Sequence, residues 1–170
     1  PNEVGVRTKK FSFFGQKGVE NEIYAPGSTY IFFPFVTDWH TFNTNIQNME
    51  MTANISKGDL FGQDDIKFKT IDGNDISLDL IISYRILPEK APYILSHVAA
   101  SDLELRTKIV RVITRSLPRD IFGELRTEEF YTAELRAKKS EKAKMDLNHI
   151  LEPYGVIVER VLTKDYRFND

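Results

Sequence analysis

A chain of 170 residues is long enough for one domain with a substantial core, and 41% apolar with 28% charged residues is a soluble, globular composition. A net charge of −2 and the lack of a long basic run give no pull toward nucleic acid. The absence of cysteine removes disulfides, thiolate nucleophiles and cysteine-bound zinc, and no apolar run approaches the ~20 residues that span a bilayer. The first residue is Pro1 rather than Met, so the chain reads as a processed or excised piece of a longer protein.

The first half reads as strands. Val4 to Arg7, Lys10 to Phe14 and Val19 to Tyr24 are short β-rich runs, with a turn at Gly15 to Gly18. Pro26-Gly27 is a turn, since proline presets one position and glycine supplies positive φ at the next. Tyr30 to Phe35, interrupted by Pro34, then Trp39 to Thr44 and Ile46 to Thr52, are further expected strands. A polar loop follows through Ser56 to Asp65. Ile66, Phe68 and Thr70 then alternate with polar neighbours, Asp72-Gly73-Asn74 turns the chain, and Ile76 to Ile86 alternates again. This period of two predicts a hairpin with one face in the core and the other in water, and Ile81, the one apolar residue on the wet side, implies that part of that face is also covered.

The second half reads as helices. Pro88 to Val98 is a short one. Ser101 with Glu104 three residues on is a capping-box pattern. Leu103, Leu105, Ile109, Val110, Val112, Ile113 and Leu117 share an apolar arc, opposite Glu104, Lys108, Arg111 and Arg115, and Pro118 is expected to end or kink that helix. Ile121, Phe122 and Leu125 form an apolar connection. Thr127 then caps a helix to about Glu152, with acids early and lysines late, as the helix dipole favours. Phe130, Ala133, Ala137, Ser140, Ala143, Leu147 and Ile150 make its narrow seam. Pro153-Tyr154-Gly155 stops it, and Val156 to Val161 starts a strand. Strands, then helices, then one last strand is an α+β order.

Several pieces together resemble one family. Glu3-Val4-Gly5-Val6 is similar to an "E-x-G-V" opening strand. Ala25 to Phe35 is similar to an "E-P-G-x-H-F-x-x-P-F" segment, and Thr70 to Asp79 to a "T-x-D-G-x-x-V-x-V-D" hairpin. Tyr84-Arg85-Ile86 stands where a "Y-R-V" is found, and Leu151 to Lys164, with Asp165 behind, is similar to the closing "L-x-x-x-G-I-x-V-x-x-V-x-I-x-D". In order and over nearly the whole chain, they resemble the SPFH or band-7 (prohibitin homology) family: stomatins, prohibitins, flotillins and the bacterial HflK and HflC proteins. The loop from Asn54 to Asp64 departs from the pattern, being longer and more polar.

The resemblance implies a curved, mostly antiparallel sheet with packed helices and a C-terminal strand, as a single domain over residues 1–170. It implies a parent protein with a membrane anchor before this domain and a coiled coil after it. It implies a membrane-associated, non-catalytic scaffold that oligomerises and organises membrane microdomains. The implied partners are further copies, membrane lipids and, in an alternative reading, a membrane protease or channel that the domain regulates.

No motif for catalysis stands out, and no cofactor or metal is implied. His40, His97 and His149 are scattered, and neither Asp59, Asp64, Asp65 nor Asp72, Asp75, Asp79 follows a calcium-loop spacing. Loop solubility and turn chemistry account for those acids. The candidate membrane-facing residues are Phe13, Phe14 and Phe33, near Lys9, Lys10 and Lys17, because adjacent aromatics on a strand cannot all face inward; sheet core is the other reading. Phe32 and Phe35 are assigned to the core. Arg106 lies within the apolar arc and has two readings, pairing with a buried acid or, the preferred one, a stem covering apolar surface with its head reaching water. Arg136, Lys139, Lys142 and Asp146 on the long helix are the candidate subunit contact.

Overall fold

The computed structural model describes residues 2–11 and 17–169. Seven strands form two antiparallel sheets. β1 (Glu3–Lys9) lies between β2 (Gly18–Tyr24) and β3 (Thr37–Asn43) in the first sheet. The second is built on β6 (Asp75–Ile86). Along one edge of β6, β4 (Gln47–Met51) pairs with residues 80–84 and β5 (Ile66–Lys69) with residues 75–78. Along the other edge, β7 (Val156–Asn169) pairs from Ile86↔Val156 to Asp75↔Asn169. The α+β class, the hairpin and the closing strand are thus present, with the strands divided between two sheets.

The alternation in β6 places Ile76, Leu78, Leu80, Ile82, Tyr84 and Ile86 in the core as expected. The opposite face is covered too, further than Ile81 alone implied: Ser77, Asp79 and Ser83 are also buried. Cross-strand polar partners cover them. Arg167 donates to both oxygens of Asp79 at 3.1 and 2.9 Å, Thr52 Oγ1 donates to it at 2.7 Å and the Ala53 amide at 2.9 Å. Ser77 donates to Asp65 at 2.5 Å and Ser83 to Asn48 at 2.7 Å. Burial pushes the Asp79 carboxyl up, but the Arg167, Thr52 and Ala53 hydrogen bonds outweigh it and hold its pKa below the ordinary value.

The helices follow in order. α1 (Ala91–His97) leads to α2 (Asp102–Glu104), where the Ser101 hydroxyl accepts from the Glu104 amide as the capping pattern predicts. A π-helical turn, Leu105–Val110, joins α2 to α3 (Arg111–Gly123). The extra residue in that turn resets the helical phase. Leu105 and Val110 are buried five apart, and the stripe continues through Thr114, Pro118, Ile121 and Phe122. Leu103 and Val112, expected in the apolar arc, are therefore exposed, and Arg111, expected on the wet face, is largely covered. Pro118 does not end the helix. Its ring is buried, and the turn that follows buries Ile121 and Phe122, which offsets the lost backbone bond.

α4 (Thr127–Tyr131) and α5 (Ala133–Leu151) replace the single long helix expected. The chain leaves helical geometry at Thr132, whose ψ is 114°. This break shifts the seam of α5, so that Ala143, Leu147 and Leu151 are buried while Ala133, Ala137 and Ile150 are exposed. Gly155 closes the helical end at φ +84°, and a side chain there would also press on Lys90 and Ile94. β7 then returns along β6, and Asn148 of α5 bonds both backbone groups of Val158, at 2.7 and 2.9 Å.

The turn of the β5–β6 hairpin also organises the helices. Asp72 accepts from the Thr127 amide at 3.0 Å and its hydroxyl at 2.9 Å, capping α4 from across the fold. The Arg126 amide donates to Glu129 at 2.8 Å beside it. Hydrogen bonds from Thr70 and from Thr127 lower the Asp72 pKa to about 2.

Two expected outcomes follow from these contacts. Asp79→Ala leaves Thr52 and the Ala53 amide without their acceptor inside the fold, and it lowers unfolding free energy in urea by about 3 kcal/mol; a change below about 1 kcal/mol contradicts the role given to this carboxylate. Asp72 is depressed in the folded state, so its contribution is present above its unfolded pKa near 4 and is lost as pH falls toward about 2. The stability advantage of wild type over Asp72→Asn, measured by urea unfolding at a series of pH values, closes across that window. A gap unchanged between pH 5 and pH 2 refutes the assignment.

Candidate functional site

The expected strand at Tyr30 to Phe35 is instead a loop from Ala25 to Val36, with irregular backbone to Phe33 and a turn at Pro34 to Val36. It is bonded rather than loose at its end: Phe33 O accepts from the Val36 amide at 3.0 Å, the Thr37 amide at 2.9 Å and the Thr37 hydroxyl at 2.9 Å, and Lys10 N donates to Val36 O at 2.7 Å. Aromatic packing holds the middle. Phe32 stacks on Trp39 at 5.8 Å between centroids; Tyr30 lies 4.7 Å from Tyr24 and 5.9 Å from Trp39. Trp39 in turn lies flat over Gly5, where any Cβ would collide with the indole. The glycine of the opening strand thus makes room for the ring that anchors the loop.

Because Tyr30 and Phe32 face the sheet, their neighbours face away. Ile31 is 88% exposed, Phe33 73% and Phe35 88%, against 39% for Tyr30 and for Phe32. Phe33 is thereby placed on an apolar surface, and Phe35, assigned to the core from sequence, joins it. Phe32 is only partly covered. The proline prevents a ladder at this point, which is why the apolar run does not become a strand. Phe13 and Phe14 lie outside the described residues. Phe11 is exposed nearby in sequence. The basic residues expected to assist are largely neutralised: Lys9 pairs with Glu20 at 2.7 Å and Lys10 with Asp38 at 2.7 Å.

The loop after β4 is strapped down by arginines. Asp59 pairs with Arg106 and, at 3.7 Å, with Arg111; Asp64 pairs with Arg111 and Arg115. Arg106 also donates to Asn48 O at 2.6 Å and to the Tyr84 hydroxyl at 3.2 Å, so its head is engaged by an acid rather than sent into water. The Asp59 and Asp64 amides donate to Glu50 O and Thr52 O. Asp59 and Asp64, which sequence assigns to loop solubility and turn chemistry, therefore form structural ion pairs, and Asp65 beside them accepts from the Ser77 hydroxyl. Ile55, Leu60 and Phe61 stand out from this strap.

On α5, Arg136 stacks over Tyr166 at 4.9 Å and Phe130 at 5.7 Å and donates to Phe130 O at 2.6 Å. Lys139 and Lys142 both pair with Glu124. The three basic members of the expected contact are thus engaged within the chain, with Lys142 the more exposed of the lysines and Asp146 partly exposed.

Among the described residues no three His, Asp or Glu side chains gather as a metal site. His97 Nδ1 lies 2.7 Å from the Ser96 hydroxyl and its ring stacks on Tyr93, a local arrangement on α1. A cleft of about 460 Å³ on the outer face of β6 and β7 is lined by Ile46, Ile81 and Leu162 with Asn48, Ser83 and the Glu159–Arg160 pair of neighbours. Its lining includes one carboxylate, Glu159, and no histidine. No helix of the described residues is long and apolar enough to cross a membrane.

No curated protein matches the chain. A family model described as SPFH domain / Band 7 family matches it over residues 1–170. That match spans the opening strand with Gly5, the proline–glycine loop, the hairpin turned at Asp72 and the closing strand after Gly155. The chain belongs to the SPFH domain / Band 7 family, whose members are typically membrane-associated and generally non-catalytic.

Proposed function

We propose that this chain is a non-catalytic scaffold domain that seats on a membrane surface and assembles side by side with further copies. The seating surface is the loop carrying Ile31, Phe33 and Phe35. The observation that supports it most is the division of labour within that loop. Tyr30 and Phe32 are spent on anchoring it to Trp39, while the alternate residues are held out in water. An exposed apolar cluster on a bonded loop marks an interaction surface.

Its chemistry points to the apolar part of a lipid layer rather than to headgroup charge. Lys9 and Lys10 are paired, so their electrostatic attraction adds little, and burial of three large side chains supplies the free energy. Assembly then acts through effective concentration: copies tethered to one surface convert weak lateral contacts into a stable array. Lys142 and Asp146 on α5 are offered as members of such a contact. Organisation of membrane microdomains and of partner proteins follows from that array.

Vesicle co-flotation tests the seating. The chain is expected to float with fluid vesicles, largely independently of salt between 50 and 500 mM, because screening acts on exposed charge and not on apolar burial. The double substitution Phe33→Ser, Phe35→Ser is expected to reduce partitioning by about tenfold or more. Unchanged flotation of the double variant, or binding abolished by salt, contradicts the reading.

A further inference from the structure

Behind the apolar loop lies a cleft of about 160 Å³ on the outward face of the first sheet. Its lining includes Glu3, Gly5, Tyr24, Tyr30, Trp39 and the turn at Pro26–Gly27. The register explains why these residues meet. Glu3, Gly5 and Arg7 share one face of β1, and cross-strand pairing sets them against Asn43, Thr41 and Trp39 of β3, with Gly5 opposite Tyr24 of β2. The other face carries Val4, Val6 and Phe42 into the core. Gly5 lets the Trp39 indole pack against the backbone of β1, and Tyr24 and Tyr30 pack beside that ring.

The ring centroids are mutually close: Tyr24 to Tyr30 4.7 Å, Tyr24 to Trp39 4.9 Å, Tyr30 to Trp39 5.9 Å. A cation attracted by a ring quadrupole sits over the ring within about 6 Å of its centroid, so one cation in the cleft can be within reach of both Tyr30 and Trp39. The cluster already accepts one from inside the fold, since Arg7, held by Glu20 at 2.6 Å, lies 5.4 Å over Tyr24. Among the described residues no Lys or Arg lies over Tyr30 or Trp39, and Glu3 at the rim has no ion-pair partner. Aromatic surface, an unpaired carboxylate and a small cleft together describe a receptor for a poorly hydrated cation.

We propose that the cleft bounded by Glu3, Tyr24, Tyr30 and Trp39 binds a quaternary ammonium group, namely the choline headgroup of a membrane lipid. A trimethylammonium is the cation such a site favours, because it sheds water easily and contacts ring faces through its methyl groups. The lipid source follows from placement. Tyr30 and Trp39 are the same side chains that hold Ile31, Phe33 and Phe35 outward, so the cleft stands at the base of the loop that enters the lipid. This assignment rests on the seating proposed above and adds a headgroup preference to it.

Trp39 is the one tryptophan of the chain, so its fluorescence reports on the site directly. The expected result is a saturable change in Trp39 emission with phosphocholine, and a response to phosphoethanolamine or inorganic phosphate at least about fivefold weaker in affinity. Glu3→Gln, at an exposed position, weakens phosphocholine binding about fivefold, and Tyr30→Leu weakens it further. On vesicles, wild type prefers phosphatidylcholine over phosphatidylethanolamine mixed with phosphatidylglycerol, and Glu3→Gln loses that preference while still floating. Equal responses to all three soluble probes, or none, overturn the site even if the chain floats. A response to phosphocholine without any lipid preference overturns the headgroup source and leaves a soluble quaternary ammonium as ligand. Failure to float with any vesicle overturns the seating, and is read separately from the fluorescence.

Discussion

The structure depends on pairing β6 along both edges while satisfying the polar side chains buried on its outer face. A strand in that position has no water for its polar side chains, so each buried one must find a partner in the fold. Asp79 is the test of that arrangement. It sits where β4 gives way to β5 on one edge, and where the pairing with β7 shifts register on the other. The carboxylate fills the gap in the ladder by taking the Ala53 amide and the Thr52 hydroxyl, and Arg167 reaches it from the far end of the chain. A short closing strand ending near Val161 would leave Asp79 without its cation. The length of β7 and the burial of Asp79 are two sides of one constraint, and α5 is fixed along with them through Gly155 and Asn148.

The parts of this fold that were legible in the sequence are those where one residue dictates one geometry. Asp72-Gly73 turns the hairpin, Ser101 caps, and Gly155 reverses the helix end, each by a local rule that tertiary contacts do not overrule. The parts that were not legible depend on distant partners. The stripe of Leu105 and Val110 is five apart because a π-helical turn lets both reach the core, and no 3.6-residue periodicity announces such a turn. Pro118 looks like a stop, yet its burial makes it a core residue. The polar side of β6 alternates as a wet face does, and only the arrival of Arg167 and Thr52 from elsewhere makes it dry.

The candidate site shows the same division. Phe33 was legible only as a candidate for exposure, with sheet core the other reading, because adjacent aromatics cannot all point inward. Its companions Ile31 and Phe35 were not, because the apolar run looks like a buried strand until Trp39 is known to hold Tyr30 and Phe32. Gly5 links fold to site: its missing side chain lets the indole lie on β1, and the indole sets which loop residues face out. The lysines near this surface are drawn into pairs with Glu20 and Asp38, which shifts the attraction from charge to apolar burial. In the same way, the acids of the loop after β4 are spent on Arg106, Arg111 and Arg115, closing the outer edge of β4 against further strand pairing.

The central claim is that the residues turned away from Trp39, and not the other exposed apolar side chains of the chain, enter the lipid. With no cysteine in the sequence, single cysteines at positions 33, 35, 61 and 145 can each carry an environment-sensitive fluorophore. On adding fluid vesicles, the account predicts a blue-shifted and brightened emission from positions 33 and 35, with little change at 61 on the strap or at 145 on α5. An equal response at all four sites, or a response confined to 61 or 145, would contradict it.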